Sequence, residues 1–150
     1  MKTKIAEIVL PQGYHPSEDE EYMSLQQKAF FRQLLLDWRQ QLVSESERIV
    51  AIMNEEQTVF ADPTDRATLE TDRNFELRAR DRERKLIGKI DRTLEILETD
   101  DYGYCMTCGV EIGLRRLEAR PVTDLCIDCK TKEEHLEKAR RPPAEDESEF

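Results

Sequence analysis

From Leu25 to about Thr58 the chain contains neither glycine nor proline. Stepping alternately by four and three from Phe31 picks out Phe31, Leu35, Trp38, Leu42, Glu45, Ile49, Ile52, Glu56 and Val59. Seven of these nine positions are apolar, which is the narrow seam of a coiled coil rather than the broad face of a globular helix. Ser24 suits the cap before it. At ~1.5 Å per residue this helix spans roughly 50 Å.

The pattern then breaks at Val59-Phe60-Ala61-Asp62-Pro63-Thr64-Asp65. Pro63 drives Asp62 out of the helical region and fits the first position of a new helix. Asp62 and Asp65 then sit at the positive end of that helix dipole. The second helix is predicted from Pro63 to about Thr99. Leu86, Ile87, Ile90, Leu94 and Leu97 give it a firm seam near its C-terminal end. Between Asp72 and Lys85 charge dominates, with only Phe75, Leu77 and Ala79 interspersed. Two long helices joined by a short turn form an antiparallel hairpin, with a packed base and a polar tip near residues 59–66.

The rest of the chain divides around this hairpin, residues 25–100. Residues 1–24 read as a lead-in, partly packed on the globular portion through Ile5–Leu10. Residues 101–140 hold all four cysteines and a short helix, Asp128 to Arg140, stopped by Pro142 and Pro143. Residues 141–150 read as an acidic, disordered tail. The expected fold is mainly α: a long two-helix antiparallel coiled coil plus a small cysteine-bearing module.

Composition sharpens this. In 150 residues, 37% are charged and 38% hydrophobic, and the formal net charge is −10. That balance argues against a single thick core and against gripping DNA along the length of the chain. No apolar run approaches the ~20 residues of a membrane span. Glu7 interrupts the short apolar stretch behind Lys2 and Lys4, so no secretory signal is read there and a cytoplasmic location is expected. Four cysteines in such a chain read as metal ligands or redox groups.

Their spacing decides between the two. Cys105-x2-Cys108 and Cys126-x2-Cys129 are separated by 17 residues. Each C-x2-C turn offers two sulfurs on one side, and two turns complete a tetrahedron for one structural Zn²⁺ with no open position. Neither pair sits in the βαβ setting of a thioredoxin-like redox site. The tip acids allow two compatible readings. They are helix caps, and they are carboxylates carried on the end of a rod into a narrow site. His15 and His135 are isolated and read as surface residues.

The chain resembles the DksA/TraR family of bacterial transcription factors, which bind RNA polymerase and carry a four-cysteine zinc finger. The resemblance rests on Asp62-Pro63-Thr64-Asp65-Arg66-Ala67, on Arg80 to Ile87, on Gly103 to Gly113, and on Arg115 to Pro121 through Leu125 to Lys130. It covers about residues 20–135. It implies that the coiled coil enters the polymerase secondary channel, with Asp62, Asp65 and Ala67 acting near the active site on promoter open complexes. It also implies a ppGpp site shared with the polymerase, at Leu86, Lys89, Arg120 and Lys130, with Arg82 nearby. A stringent-response role follows, with ribosomal RNA repression and activation of amino-acid biosynthesis. Gly88 departs from the family pattern within an otherwise matching stretch.

Two other readings remain beside this non-enzymatic regulator. One is a zinc-ribbon nucleic-acid module using Arg115, Arg116 and Arg120, though no aromatic platform lies among them. The other is a Gre-like cleavage factor, its two aspartates binding Mg²⁺, though no base or pocket is visible. The short turn favours pairing within one chain, hence a monomer, and independent sequence-specific DNA binding is not expected. Residues 1–24 carry two cations and five acids, and residues 141–150 one and four, so the ends supply −6 of the −10. From Arg66 to Arg92 nine cations face six acids, a local +3. Net acidity therefore still permits a basic stripe on the second helix.

Overall fold

The computed structural model describes residues 4–55 and 63–142. Among these residues a 3-10 turn, Ile5–Glu7, precedes four helices: α1 (Leu25–Glu55), α2 (Pro63–Leu97), α3 (Leu114–Ala119) and α4 (Ile127–Arg140). Among the described residues there is no strand, only one isolated antiparallel bridge between Tyr104 and Glu111. The chain separates into two units between Asp100 and Asp101.

The first unit is the hairpin. Ser24 starts α1 by accepting the Gln27 amide on Oγ at 3.3 Å and the Lys28 amide on its carbonyl at 2.9 Å. α1 and α2 run antiparallel, held by bonds across them. Lys28 Nζ donates to the Thr99 carbonyl at 3.3 Å and to Asp100 Oδ1 at 3.1 Å. Arg39 Nε meets Asp91 Oδ1 at 2.7 Å. Lys28 is itself buried, so its ammonium is lodged where α2 ends and lone carbonyls need donors.

The core lies at the base of the hairpin. Phe31, Leu35, Ile90 and Leu97 are fully buried. The seam of α2 differs in one position from the apolar pattern, because Thr93 is buried and Leu94 only half-buried. Four-three steps back from Leu97 land on Thr93, then Ile90, and the partner helix covers that line rather than the greasiest one. The Thr93 hydroxyl is satisfied by donating to the Lys89 carbonyl at 2.8 Å. Towards the tip burial declines: Trp38 and Leu42 are half-buried, and Glu45 is exposed. Ile52 is 45% exposed, Leu77 51% and Phe75 70%. Gly88 occupies open space, since a Cβ there meets nothing within 4 Å. Packing therefore gives no reason for it, and it weakens α2 by up to ~1 kcal/mol against alanine.

The segment before α1 is fastened to it by polar bonds. Gln27 is fully buried. Its Oε1 accepts the Met23 amide at 2.8 Å, and its Nε2 donates to the Ser17 carbonyl and Glu20 Oε2, both at 3.2 Å. The Tyr14 hydroxyl donates to the same Glu20 oxygen at 2.6 Å. Desolvation, then the Glu20 carboxylate, push the Tyr14 phenol up to about 12. Hydrogen bonds from Tyr14 and then Gln27 hold Glu20 below its usual range. Phe30 presents its ring to Tyr14 and His15, and Ile5 is buried.

The second unit has a core of Tyr102, Ile112, Leu114 and Leu117, joined by Cys105 and Cys126. The Tyr102 hydroxyl donates to the Pro121 carbonyl at 2.9 Å. α3 is absent from the hydrophobic pattern, because six residues are too few to show a helical period. α4 starts within one residue of its predicted position and buries none of its residues.

Candidate metal centre and the surfaces of the hairpin

The four cysteines converge. Their sulfurs all lie within 4.8 Å of one another, with Cys105 and Cys126 buried, Cys129 half-buried and Cys108 exposed. Cys108 Sγ and Cys126 Sγ are 3.7 Å apart, and all four cysteines are free. A Zn–S length of ~2.3 Å in a tetrahedron requires sulfurs about 3.8 Å apart, whereas a disulfide requires ~2.05 Å. The set therefore fits zinc and not a bridge.

Local sequence shapes each turn. The Gly109 amide bonds the Cys105 carbonyl at 2.9 Å, and Gly109 takes a φ of 75° that disfavours a side chain. The Cys105 amide bonds the Val110 carbonyl at 2.9 Å, closing the first knuckle. Cys126 is the N-cap of α4 and accepts the Cys129 amide on its sulfur at 3.5 Å. Its sulfur thus lies at the positive end of the helix dipole.

Cluster electrostatics favour a cation. Amides, first that of Cys126 and then those of Cys108 and Thr107, pull the Cys105 thiol down to about 6. Hydrogen bonding with Cys126 and then Cys108 pushes Cys129 up to about 12. The Val110 amide lowers Cys108, but desolvation and bonds with Cys105 and Cys126 outweigh it and leave it raised. One thiolate forms readily here, at Cys105, while Cys108 and Cys129 resist. A divalent cation supplies the missing countercharge.

The remaining expected site residues fall on both units. On the first unit, Asp65 and Ala67 are exposed in the opening turns of α2. Asp62 lies outside the described residues. Leu86 is half-buried in the seam, while Arg82 and Lys89 are exposed. Arg78, Arg82, Lys85, Lys89 and Arg92 repeat at four-three spacing and are all exposed. They form one line of cations about 20 Å long on a single flank of α2. Residue counting shows only the local excess of charge; its face becomes visible when helical steps are applied to the cations themselves.

On the second unit, Arg120 is exposed just after α3. Lys130 is in the first turns of α4, with Nζ 2.7 Å from Glu133, and that contact raises its pKa. Arg116 is committed elsewhere: Nε donates to the Leu125 carbonyl at 3.1 Å and NH2 to Thr123 at 3.4 Å. It braces the loop before Cys126, which removes one of the three arginines a nucleic-acid module would use.

Comparison with known proteins agrees with both halves. Residues 27–97 match the family described as DnaK suppressor protein DksA, N-terminal domain, and residues 100–135 the prokaryotic dksA/traR C4-type zinc finger. The chain belongs to the DksA family. Among the family's members, the RNA polymerase-binding transcription factor DksA of Haemophilus influenzae is 58% identical over 125 residues, covering 83% of this chain and 86% of that protein. The Escherichia coli K12 protein of the same name is 53% identical over 140 residues, covering 91% and 93%. The structure of transcription factor DksA2 from Pseudomonas aeruginosa superposes with a TM-score of 0.71 at 42% identity, covering 78% of this chain and 90% of that one. Family membership and the sulfur geometry together make this a structural zinc site. No helix among the described residues is long and apolar enough to cross a membrane.

Proposed function

We propose that this chain binds bacterial RNA polymerase and regulates transcription without catalysing a reaction itself. The observation that carries the reading is 53% identity over 91% of the chain to a protein named for polymerase binding. The hairpin enters the secondary channel as a monomer in the cytoplasm. Asp62 and Asp65, with Ala67, bring negative charge near the catalytic centre and change the lifetime of promoter open complexes. The cation line on α2 suits an acidic protein surface and a polyphosphate alike. ppGpp is held with the polymerase by Leu86, Lys89, Arg120 and Lys130, with Arg82 beside them. Ribosomal RNA repression and amino-acid biosynthesis activation belong to the same stringent-response role.

Transcription in vitro with purified core polymerase and sigma factor tests this. The chain is expected to compete for the secondary channel and to shorten open-complex lifetime at ribosomal promoters, more strongly with ppGpp. No binding to core polymerase would overturn the proposal. Stimulation of transcript cleavage would instead favour a Gre-like factor.

Glu133 gives a sharper test of the nucleotide site, because it holds Lys130 at 2.7 Å. A bound nucleotide must compete with that carboxylate. Glu133→Gln is expected to shift half-maximal ppGpp response about two- to fivefold lower, the range for an exposed ion pair. An unchanged midpoint means that Lys130 does not meet the nucleotide.

A further inference from the structure

Among the described residues, one layer of the hairpin sets an acid from each helix at seam positions. Four-three steps from Leu97 along α2 give Thr93, Ile90, Leu86, Glu83, Ala79 and Glu76, each of them buried or half-buried. The cross-helix bonds of Lys28 with Asp100 and of Arg39 with Asp91 fix the antiparallel register. In that register Phe31 stands level with Leu97, Leu35 with Thr93, Trp38 with Ile90 and Leu42 with Leu86. The next layer is Glu45 with Glu83, an acid from each helix.

Glu83 is poorly served there. Among the described residues, its Oε2 is a buried side-chain oxygen without a hydrogen-bond partner. An unmet buried acceptor and a like charge at the same level both disfavour closure. Up to the Leu42–Leu86 layer the seam is apolar apart from Thr93, which satisfies its own hydroxyl. Beyond the acidic layer Ile52 is 45% exposed, and Glu76 occupies a seam position opposite it.

We propose that the Glu45–Glu83 layer is a built-in breakpoint, from which the distal part of the hairpin opens as one unit while the base stays closed. If the polymerase-binding reading holds, such a rod is stiff at its base and adaptable at the end that enters the channel. Hinge motion of this kind needs a layer where packing is interrupted, and a uniform leucine seam offers none.

Native-state hydrogen exchange on the full zinc-bound chain tests it. Amides in 46–55 and 69–82 are expected to exchange as one group, with a step in protection at the Leu42–Leu86 layer. Glu83→Leu, which replaces the unmet carboxylate with a seam residue, is expected to slow exchange in the distal group by about tenfold or more and leave residues 31–42 and 86–97 unchanged. Glu70→Leu makes the same exchange of charge for apolar surface off the seam and is expected to leave the step in place. A smooth gradient of protection from tip to base, as simple fraying produces, would overturn the proposal. So would a Glu83→Leu effect spread evenly over both helices.

Discussion

Replacing Asp62 and Asp65 together by Asn is expected to abolish regulation in a promoter assay while polymerase binding persists. The substitution is chosen for what it preserves. Asn suits the cap position before a helix about as well as Asp, so the sequence signal for a helix start at Pro63 is kept. Removing the acid of its first turn costs at most about 1 kcal/mol of dipole stabilisation. Shape, length and the seam are untouched, and only charge is lost at the end of the rod. If the tip acts electrostatically, binding measured by competition stays within about threefold while the change in open-complex lifetime disappears. A double variant that regulates like the parent would remove the tip from the mechanism. Loss of binding together with regulation would instead place the acids in the docking contact.

Zinc removal is expected to unfold the second unit and spare the first. The apolar core there is small, and α4 buries no residue of its own. Structural zinc contributes about 10–16 kcal/mol of apparent binding free energy at neutral pH, more than a domain of this size otherwise holds. Chelation under reducing conditions should release one zinc and expose four titratable thiols per chain. Amide protection around Tyr102, Ile112 and Leu117 should vanish. Trp38, the only tryptophan, sits in the hairpin seam, so its fluorescence should barely change. Binding requires thiols to lose their protons, and Cys129 resists at about 12. Affinity for zinc should therefore fall as pH falls. Retention of folded signals from the second unit after chelation would show that its apolar core suffices alone.

Several features are legible in the sequence because they are local. A helix without Gly or Pro, a Pro at its successor's first turn, and two C-x2-C turns each depend on neighbouring residues only. The cysteine spacing reported a shared metal because few other arrangements satisfy four thiols at that separation. The zinc-module helix was legible too, through Pro142 and Pro143 beyond its end. α3 escaped because six residues carry no period.

What needed the tertiary structure was the choice among residues that share a pattern. The hydrophobic periodicity named Leu94, but the partner helix covers Thr93 and leaves Leu94 half-exposed. Arg116 and Arg120 look alike in sequence. One is spent on the carbonyl of Leu125, and the other stays exposed. Lys130 became a lysine already held by Glu133, and Glu83 became a carboxylate with an unmet oxygen. The sequence by itself determined the two long helices, α4 and the metal-binding cysteines, since backbone propensity and ligand spacing act over a few residues. Register, burial and the partners of each charge were decided by the opposing helix and the folded loop, because those interactions exist only once distant segments meet.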